Sequence, residues 1–237
     1  MRRLVLAPAL AALALIAPHV EAAPAAPQVT DPSGDANGLQ TVNHAATRDK
    51  VLGAGNQDYA DVVSVLWEAT KTTSKVKGKT VTTVSGFKVT ATLTGAPTPP
   101  APTQVVYRML SATPNCGFFG VVYYTKKSSD PGIPQSALRE NCNDGVTRLY
   151  PIAMPTIVGN TITWTVPVSA IPASTKVKPG SKLADLFFQV SEIEDFGGPC
   201  LPDLSTAPAP VNAYSKACGL GAGVIDNSQP MGSFLLG

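Results

Sequence analysis

Oxygen-bearing side chains recur at every second residue in a short segment near the beginning of the chain. They are Asp31, Ser33, Asp35 and Asn37. Pro32 and Gly34 stand between them and favour a turn, and a turning segment can direct alternate side chains onto one cation. Calcium accepts about six to eight oxygen ligands in irregular geometry. The same pattern also suits an Asx-rich turn that is held by hydrogen bonds from side chains to the backbone.

A second acidic pair, Asp58 and Asp61, lies just before the first strand with clear alternation. An EF-hand loop is excluded, because Ala36 stands at its glycine position and Val42 at the position of its bidentate glutamate. An irregular calcium site that draws on both segments remains, with calcium as the expected cofactor. The predicted ligands are Asp31, Asp35, Asn37, Asp58 and Asp61.

No set of residues in the chain has the pattern of a catalytic site. A nucleophilic hydrolase needs a base beside its nucleophile, and His44, the one histidine after the first 22 residues, lies in a polar segment. Glycoside hydrolysis needs two facing carboxylates, for which the cluster of Glu192, Glu194 and Asp195 is the candidate. We expect a protein that is not an enzyme, with an exported hydrolase that uses this cluster as the alternative.

The N-terminus has the three parts of a secretory signal peptide. Basic residues near the N-terminus precede an apolar run, residues 4–18, and a small-residue cleavage site that ends at Ala22. The run is shorter than the roughly 20 residues that span a bilayer. We therefore expect a cleaved signal peptide over residues 1–22 and a secreted, extracellular mature protein, residues 23–237, without a membrane span.

The charge of the chain excludes a nucleic-acid partner. The formal net charge is +2 and only 14% of the residues are charged, whereas nucleic-acid binding needs a strong basic footprint. The densest basic segment interleaves lysines with Thr, Ser and Gly78, which predicts a solvated hairpin tip. Its lysines are Lys71, Lys75, Lys77 and Lys79.

Four cysteines in an exported chain predict two disulfides. They are Cys116, Cys142, Cys200 and Cys218. Of the three connectivities we favour Cys116–Cys142 and Cys200–Cys218, because each closes a local loop. In the loop-entropy model such a bridge contributes roughly 3–3.5 kcal/mol. The spacing does not suit zinc, which prefers CxxC pairs and histidines.

Period-2 alternation of apolar and polar residues predicts strands with one buried and one wet face. The clearest are residues 61–70, 85–94 and 160–168, with further candidates at 105–112, 118–125, 147–152 and 183–193. Because turn residues separate these strands and no amphipathic helix is evident, we predict one all-β domain folded as an antiparallel β-sandwich.

The large aromatic residues fall mainly on apolar strand faces. Trp67 and Trp164 alternate with polar neighbours, which predicts that both lie in the core. The densest aromatic patch, Phe118, Phe119, Tyr123 and Tyr124, is also expected to be mostly core. The alternative is that Phe119 or Tyr123 lies at a binding surface.

Two segments resemble a known family. Asp31-Pro-Ser-Gly-Asp-Ala-Asn-Gly, followed by Gln57-Asp58-Tyr59-Ala60-Asp61-Val62 before an alternating strand, is similar to the opening of DOMON-like and family 9 carbohydrate-binding-module sandwiches in secreted bacterial proteins. The resemblance covers residues 28–70. It implies a jelly-roll-like sandwich with a structural calcium and a face that binds a sugar or cofactor, and Asp31, Asp35 and Asp61 are the matching positions.

These observations together predict a secreted, non-catalytic module that binds an extracellular ligand, with a glycan as one candidate. The alternatives are the exported hydrolase and a purely structural envelope protein.

Overall fold

The structure, a computed structural model, consists mainly of β-strands. It describes residues 25–34, 36, 57–99, 104–113, 115–127, 133–142, 146–193 and 222–237. Within these residues twelve strands form two antiparallel sheets, accompanied by two short 3-10 turns at Val168–Ala170 and Ala173–Thr175. The two sheets pack face to face on a shared apolar cluster. The predicted all-β antiparallel sandwich is confirmed.

The smaller sheet has five strands in the order β1-β2-β3-β9-β8. They are β1 (Val29–Thr30), β2 (Val62–Val76), β3 (Lys79–Leu93), β8 (Thr156–Val158) and β9 (Thr161–Pro167). Its outer face is coated with threonine, because Thr90 on β3 pairs with Thr163 on β9 and Thr92 pairs with Thr161. Alternation therefore gives this sheet one apolar and one wet face, as the pattern predicts.

The larger sheet has seven strands, in the order β11-β10-β4-β5-β6-β7, with β12 pairing with β10. They are β4 (Gln104–Thr113), β5 (Cys116–Tyr124), β6 (Ser136–Cys142), β7 (Thr147–Pro151), β10 (Lys182–Ile193), β11 (Ala222–Asn227) and β12 (Met231–Leu235). The consecutive strands β4 to β7 form a meander. The last strand, β12, pairs with β10 from Lys182↔Leu235 to Leu186↔Met231.

The core contains both tryptophans, as predicted. Trp164 is fully buried and Trp67 is 1% exposed. The ring of Trp67 stacks on Phe87, with centroids 5.6 Å apart, and Phe87 makes an edge contact with Phe119 of the other sheet at 6.1 Å. Aromatic pairs of this kind contribute roughly 0.5–1.5 kcal/mol beyond burial. This cluster joins the two sheets.

The lysine-rich segment forms the end of a long hairpin. Strands β2 and β3 pair from Val62↔Leu93 to Val76↔Lys79, and both turn residues have positive φ, 49° at Lys77 and 76° at Gly78. This backbone suits a two-residue hairpin turn that follows the twist of the strands. Side chains 71–83 are exposed, which confirms the predicted solvated tip. Both strands are longer than the alternation alone predicted.

Candidate functional site

The predicted calcium segment lies where β1 joins the smaller sheet. Antiparallel pairing puts Thr30 opposite Ser64, and the N–H of Asp31 donates to the carbonyl oxygen of Val63 at 3.1 Å. The same pairing brings the end of β1 to the start of β2. Asp31 and Asp61 are therefore placed at one edge of the sheet, as the calcium prediction requires.

Asp61 anchors this edge. Its side chain is completely buried, and its Oδ2 accepts hydrogen bonds from the Gly34 N–H and the Thr94 hydroxyl, both at 2.7 Å. The backbone adds a bond from the Thr94 N–H to the Asp61 carbonyl at 2.9 Å. One carboxylate thus connects the N-terminal turn to the end of β3. This is expected where an aspartate side chain holds a turn through a hydrogen bond to the backbone.

The other predicted calcium ligands are not all placed. Asp58 lies in the turn before β2, and its carbonyl accepts the Gly95 N–H at 2.8 Å. Among the described residues, Asp31, Asp58 and Asp61 do not form a group of three whose ligand atoms all lie within 4.8 Å of one another. Asp35 and Asn37 lie outside the described residues. Calcium binding therefore stays a prediction.

A further buried carboxylate, which the sequence did not reveal, lies beside this edge. Asp226 on β11 is 4% exposed, and its Oδ2 accepts the Val62 N–H at 2.8 Å. The two residues are 164 positions apart in sequence, so no local pattern could pair them. Asp226 connects the first long strand of the smaller sheet to the edge of the larger one.

The first predicted disulfide is confirmed. Cys116 and Cys142 are paired in register across β5 and β6, and their sulfurs are bonded. Cys200 and Cys218 lie outside the described residues. The sulfurs of Cys116 and Cys142 lie with the Glu140 carboxylate within 4.8 Å, but the disulfide bond removes both thiolates as metal ligands.

Glu140 is fully buried beside that disulfide. Its Oε1 accepts hydrogen bonds from the hydroxyls of Tyr150 and Ser174 at 3.1 and 3.3 Å, and Nη1 of Arg148 lies 3.7 Å from the same oxygen. A buried charge needs such partners. This cluster has the character of a structural anchor for β6 and β7.

The acidic cluster of the hydrolase alternative is mostly outside the described part of the chain. Glu192 belongs to β10 and pairs in register with Val105, while Glu194 and Asp195 lie beyond the described residues. His44 lies outside them as well.

The outer face of the larger sheet differs from that of the smaller one. Several of its apolar side chains are buried without belonging to the core between the sheets. They are Val106, Leu110, Val122 and Ala137, all 4% exposed or less. The alternation of apolar and polar residues therefore does not hold on β4 and β5, because both faces of these strands are apolar. Two cations, Arg108 and Arg139, lie within this second apolar layer.

Register places the two arginines on either side of β5. Arg108 on β4 pairs with Val122, whereas Arg139 on β6 pairs with Gly120. A Cβ atom at Gly120 would lie 2.0 Å from the Met109 carbonyl oxygen, so only glycine fits there. No side chain therefore stands between Arg139 and the strand that carries Arg108.

Arg108 is held by polar neighbours from β10. Its Nη1 donates to the Ser191 hydroxyl at 2.8 Å and lies 3.4 Å from Oε1 of Gln189. Its Nε is buried and has no hydrogen-bond partner. Burial lowers the pKa of Arg108 to about 10, with a smaller contribution from the positive charge of Arg139. The guanidinium is still a cation at neutral pH.

Arg139 lies over an aromatic ring. Its guanidinium carbon is 4.8 Å from the centroid of the Phe118 ring, a cation–π contact worth roughly 0.5–2 kcal/mol. Burial lowers the pKa of Arg139, and the nearby Tyr124 hydroxyl opposes that shift. Phe118 and Tyr124 are both partly exposed, whereas Phe119 and Tyr123 belong to the core cluster. The aromatic patch is therefore split between the two faces of β5. Phe119 and Tyr123 lie in the core, as the main prediction has it, and the alternative that either lies at a binding surface is wrong.

No carboxylate compensates these two charges within the part of the chain that the structure describes. The ion pairs there are Lys88 with Glu68 at 2.6 Å, on the outer face of the smaller sheet, and Arg148 with Glu140. Sequence reasoning missed Arg108 and Arg139. The available signal was an arginine that follows apolar residues within a strand, Arg108 after Tyr107 and Arg139 after Leu138, which is an unusual position for a charge.

Comparison with known proteins does not identify the chain. No family model, no curated protein and no solved structure gives a significant match. The resemblance to DOMON-like and family 9 carbohydrate-binding-module sandwiches stays a prediction. Within the described residues, no helix is long and apolar enough to cross a bilayer.

Proposed function

We propose that this chain is a secreted, non-catalytic binding protein and that its ligand binds on the outer face of the larger sheet. The observation that carries the proposal is the contrast between the two outer faces. The smaller sheet presents threonines and an ordinary surface ion pair between Lys88 and Glu68. The outer face of the larger sheet exposes parts of two arginines and of two aromatic residues, Phe118 and Tyr124, around apolar side chains that are themselves covered.

The composition of that face supports a binding role. Binding sites combine apolar and aromatic lining with a few placed polar groups that orient the ligand. Phe118 and Tyr124 supply aromatic surface, and Ser191 and Gln189 fix the position of Arg108. Arginine and tyrosine are also enriched where binding energy concentrates at interfaces.

The proposal includes a structural calcium ion at the edge of the smaller sheet where the N-terminal turn lies. Asp31, Asp58 and Asp61 are the described members of the predicted calcium set, and Asp31 and Asp61 lie at one edge of the smaller sheet. In this proposal calcium rigidifies the turn after β1 and takes no part in ligand contact, because the turn belongs to the other sheet.

A ligand panel with matched variants tests the proposal. Purified mature protein is applied to a glycan array and, in parallel, to a panel of glycosidase and esterase substrates. A ligand that is bound without turnover is then titrated against Tyr124→Ala and Thr165→Ala, which alter the outer faces of the larger and smaller sheets. Tyr124→Ala is expected to weaken binding roughly tenfold, about 1.4 kcal/mol, whereas Thr165→Ala leaves it unchanged.

Two results would contradict this function. Turnover of any substrate by the purified protein would favour the hydrolase alternative. Binding that is equally weakened by Thr165→Ala would move the ligand to the opposite face of the sandwich.

A further inference from the structure

Arg108 and Arg139 retain donor capacity that the described residues do not use. A guanidinium carries five N–H donors. The hydrogen bonds of Arg108 come from Nη1 alone, and its buried Nε has no partner. Arg139 rests on the Phe118 ring, and its guanidinium makes no hydrogen bond to any described residue. The unused donors are therefore available to an acceptor that arrives from outside.

The positive charge of the two arginines also favours an anion at this place. A buried charge without a counter-charge is strongly destabilising, whereas a buried charge that is paired and hydrogen-bonded is tolerated. Arg108 and Arg139 are partly exposed, which reduces this cost, but partial burial still lowers the pKa of both guanidinium groups, and the positive charge of Arg139 lowers the pKa of Arg108 further. An anion at this place would offset both effects.

The chemistry of the two side chains selects the class of anion. The planar guanidinium fork matches the oxygens of carboxylate and phosphate groups in bidentate geometry. Because Gly120 leaves no side chain between Arg139 and β4, an oxyanion can approach the sheet closely at this point. The neighbouring Tyr124 and Ser191 offer hydroxyl groups, and their apolar surroundings strengthen electrostatic attraction.

We propose that Arg108 and Arg139 form an oxyanion-binding site, which takes a carboxylate or phosphate group either as a free ion or as the acid group of a larger ligand. The site rests on the proposed binding function and gives its ligand a chemical class. The aromatic side chains beside the site would contact the remainder of a larger ligand.

The test measures whether oxyanions stabilise and bind the full mature protein. Melting temperature is followed against inorganic phosphate and acetate, with sodium chloride at matched ionic strength as the reference. Binding of phosphate is then measured by isothermal titration calorimetry in the wild type, Arg139→Met and Lys88→Met. Lys88 is the matched control, because it is a surface cation on the opposite sheet that already pairs with Glu68.

We expect phosphate to raise the melting temperature of the wild type and of Lys88→Met beyond the chloride reference. Loss of a charge-assisted contact should weaken phosphate binding about tenfold to a hundredfold in Arg139→Met. Arg139→Met should also melt at or above the wild-type temperature in phosphate-free buffer, since replacing an uncompensated, partly buried charge by an apolar side chain removes its desolvation cost.

The source of the anion is distinguished with two saccharides of equal length. Galacturonic acid oligomers carry the carboxylate, and galactose oligomers do not. Tighter binding of the acidic oligomer than of acetate would assign the group to a larger ligand, and equal binding would assign it to a free ion. Either result supports the site, provided that Arg139→Met weakens the binding of the anion that is measured.

A wild type that shows no response to phosphate or acetate would overturn the proposal. A response that appears only in Glu194→Gln/Asp195→Asn would also overturn it, because the chain's own carboxylates would then be the counter-charge. Tight binding of the neutral oligomer with no effect of Arg139→Met would refute the oxyanion site and leave the proposed binding function standing.

Discussion

Replacement of Asp61 by asparagine tests how the N-terminal turn is attached to the sandwich. Asp61 is fully buried and its Oδ2 accepts two hydrogen bonds of 2.7 Å, from Gly34 and Thr94. A hydrogen bond to a charged group contributes about 1.5–3 kcal/mol and a neutral one about 0.5–1.5 kcal/mol. Asparagine keeps the size and one acceptor, so the free energy of unfolding should fall by about 2–3 kcal/mol for the two bonds together.

Urea denaturation followed by tryptophan fluorescence measures this loss, in chelator so that calcium does not contribute. With a slope of about 2 kcal/mol/M, the midpoint should fall by about 1–1.5 M without a change in slope. Thr94→Val removes one of the two bonds to the carboxylate and should cost about 1.5–3 kcal/mol. Thr92→Val, on the outer face of β3, is the isosteric control and should lower the free energy of unfolding by less than about 0.5 kcal/mol.

The double variant Asp61→Asn/Thr94→Val completes a thermodynamic cycle. If the two groups interact directly, their effects should be non-additive by about 0.5–1.5 kcal/mol. An Asp61→Asn protein within about 0.5 kcal/mol of the wild type would refute the argument that this carboxylate fastens the turn.

Three further predictions address the core, calcium and the second disulfide. Trp164→Ala should lower the free energy of unfolding by about 3–5 kcal/mol, against less than about 1 kcal/mol for Thr165→Ala, and equal losses in urea denaturation would mean that the faces of β9 are wrongly assigned. Calcium at about 100 times its Kd should raise the free energy of unfolding of the wild type by about 2.7 kcal/mol, whereas magnesium should have little effect and calcium should not stabilise Asp31→Ala. If wild type and variant melt identically in calcium and in chelator, the segment is an Asx-rich turn without calcium. Alkylation of the denatured, unreduced protein followed by mass spectrometry should find no free thiol and should join Cys200 to Cys218, whereas a labelled cysteine would exclude the second bridge.

The fold was predictable because its strands in the smaller sheet have one wet face. Phe87, Val89, Ala91 and Leu93 alternate with polar residues, and the structure buries all four. The Cys116–Cys142 bridge was predictable for a similar reason, since it connects two consecutive strands. Local patterns carry this information because neighbouring strands along the chain usually pair.

The candidate site was not predictable from the same patterns. Strand β4 is apolar on both faces, so periodicity could not tell which of its side chains face the other sheet. Arg108 and Arg139 come from strands separated by β5, and their proximity depends on register that only the folded sheet defines. The contact of Asp226 with Val62 is likewise a result of tertiary structure, because it connects the two sheets across most of the chain.

The outer face of the larger sheet is the proposed place of ligand binding. The most direct measurement is a nuclear magnetic resonance titration of isotope-labelled protein, residues 23–237, with phosphate, observing the backbone amides and the Nε–Hε groups of arginine. We expect the Nε–Hε signals of Arg108 and Arg139 to shift in a saturable manner, with the Arg148 signal and the amides of β9 unchanged. Saturable shifts confined to β9 and the Lys71–Lys79 hairpin, or no saturable shift at any phosphate concentration, would contradict binding on the outer face of the larger sheet.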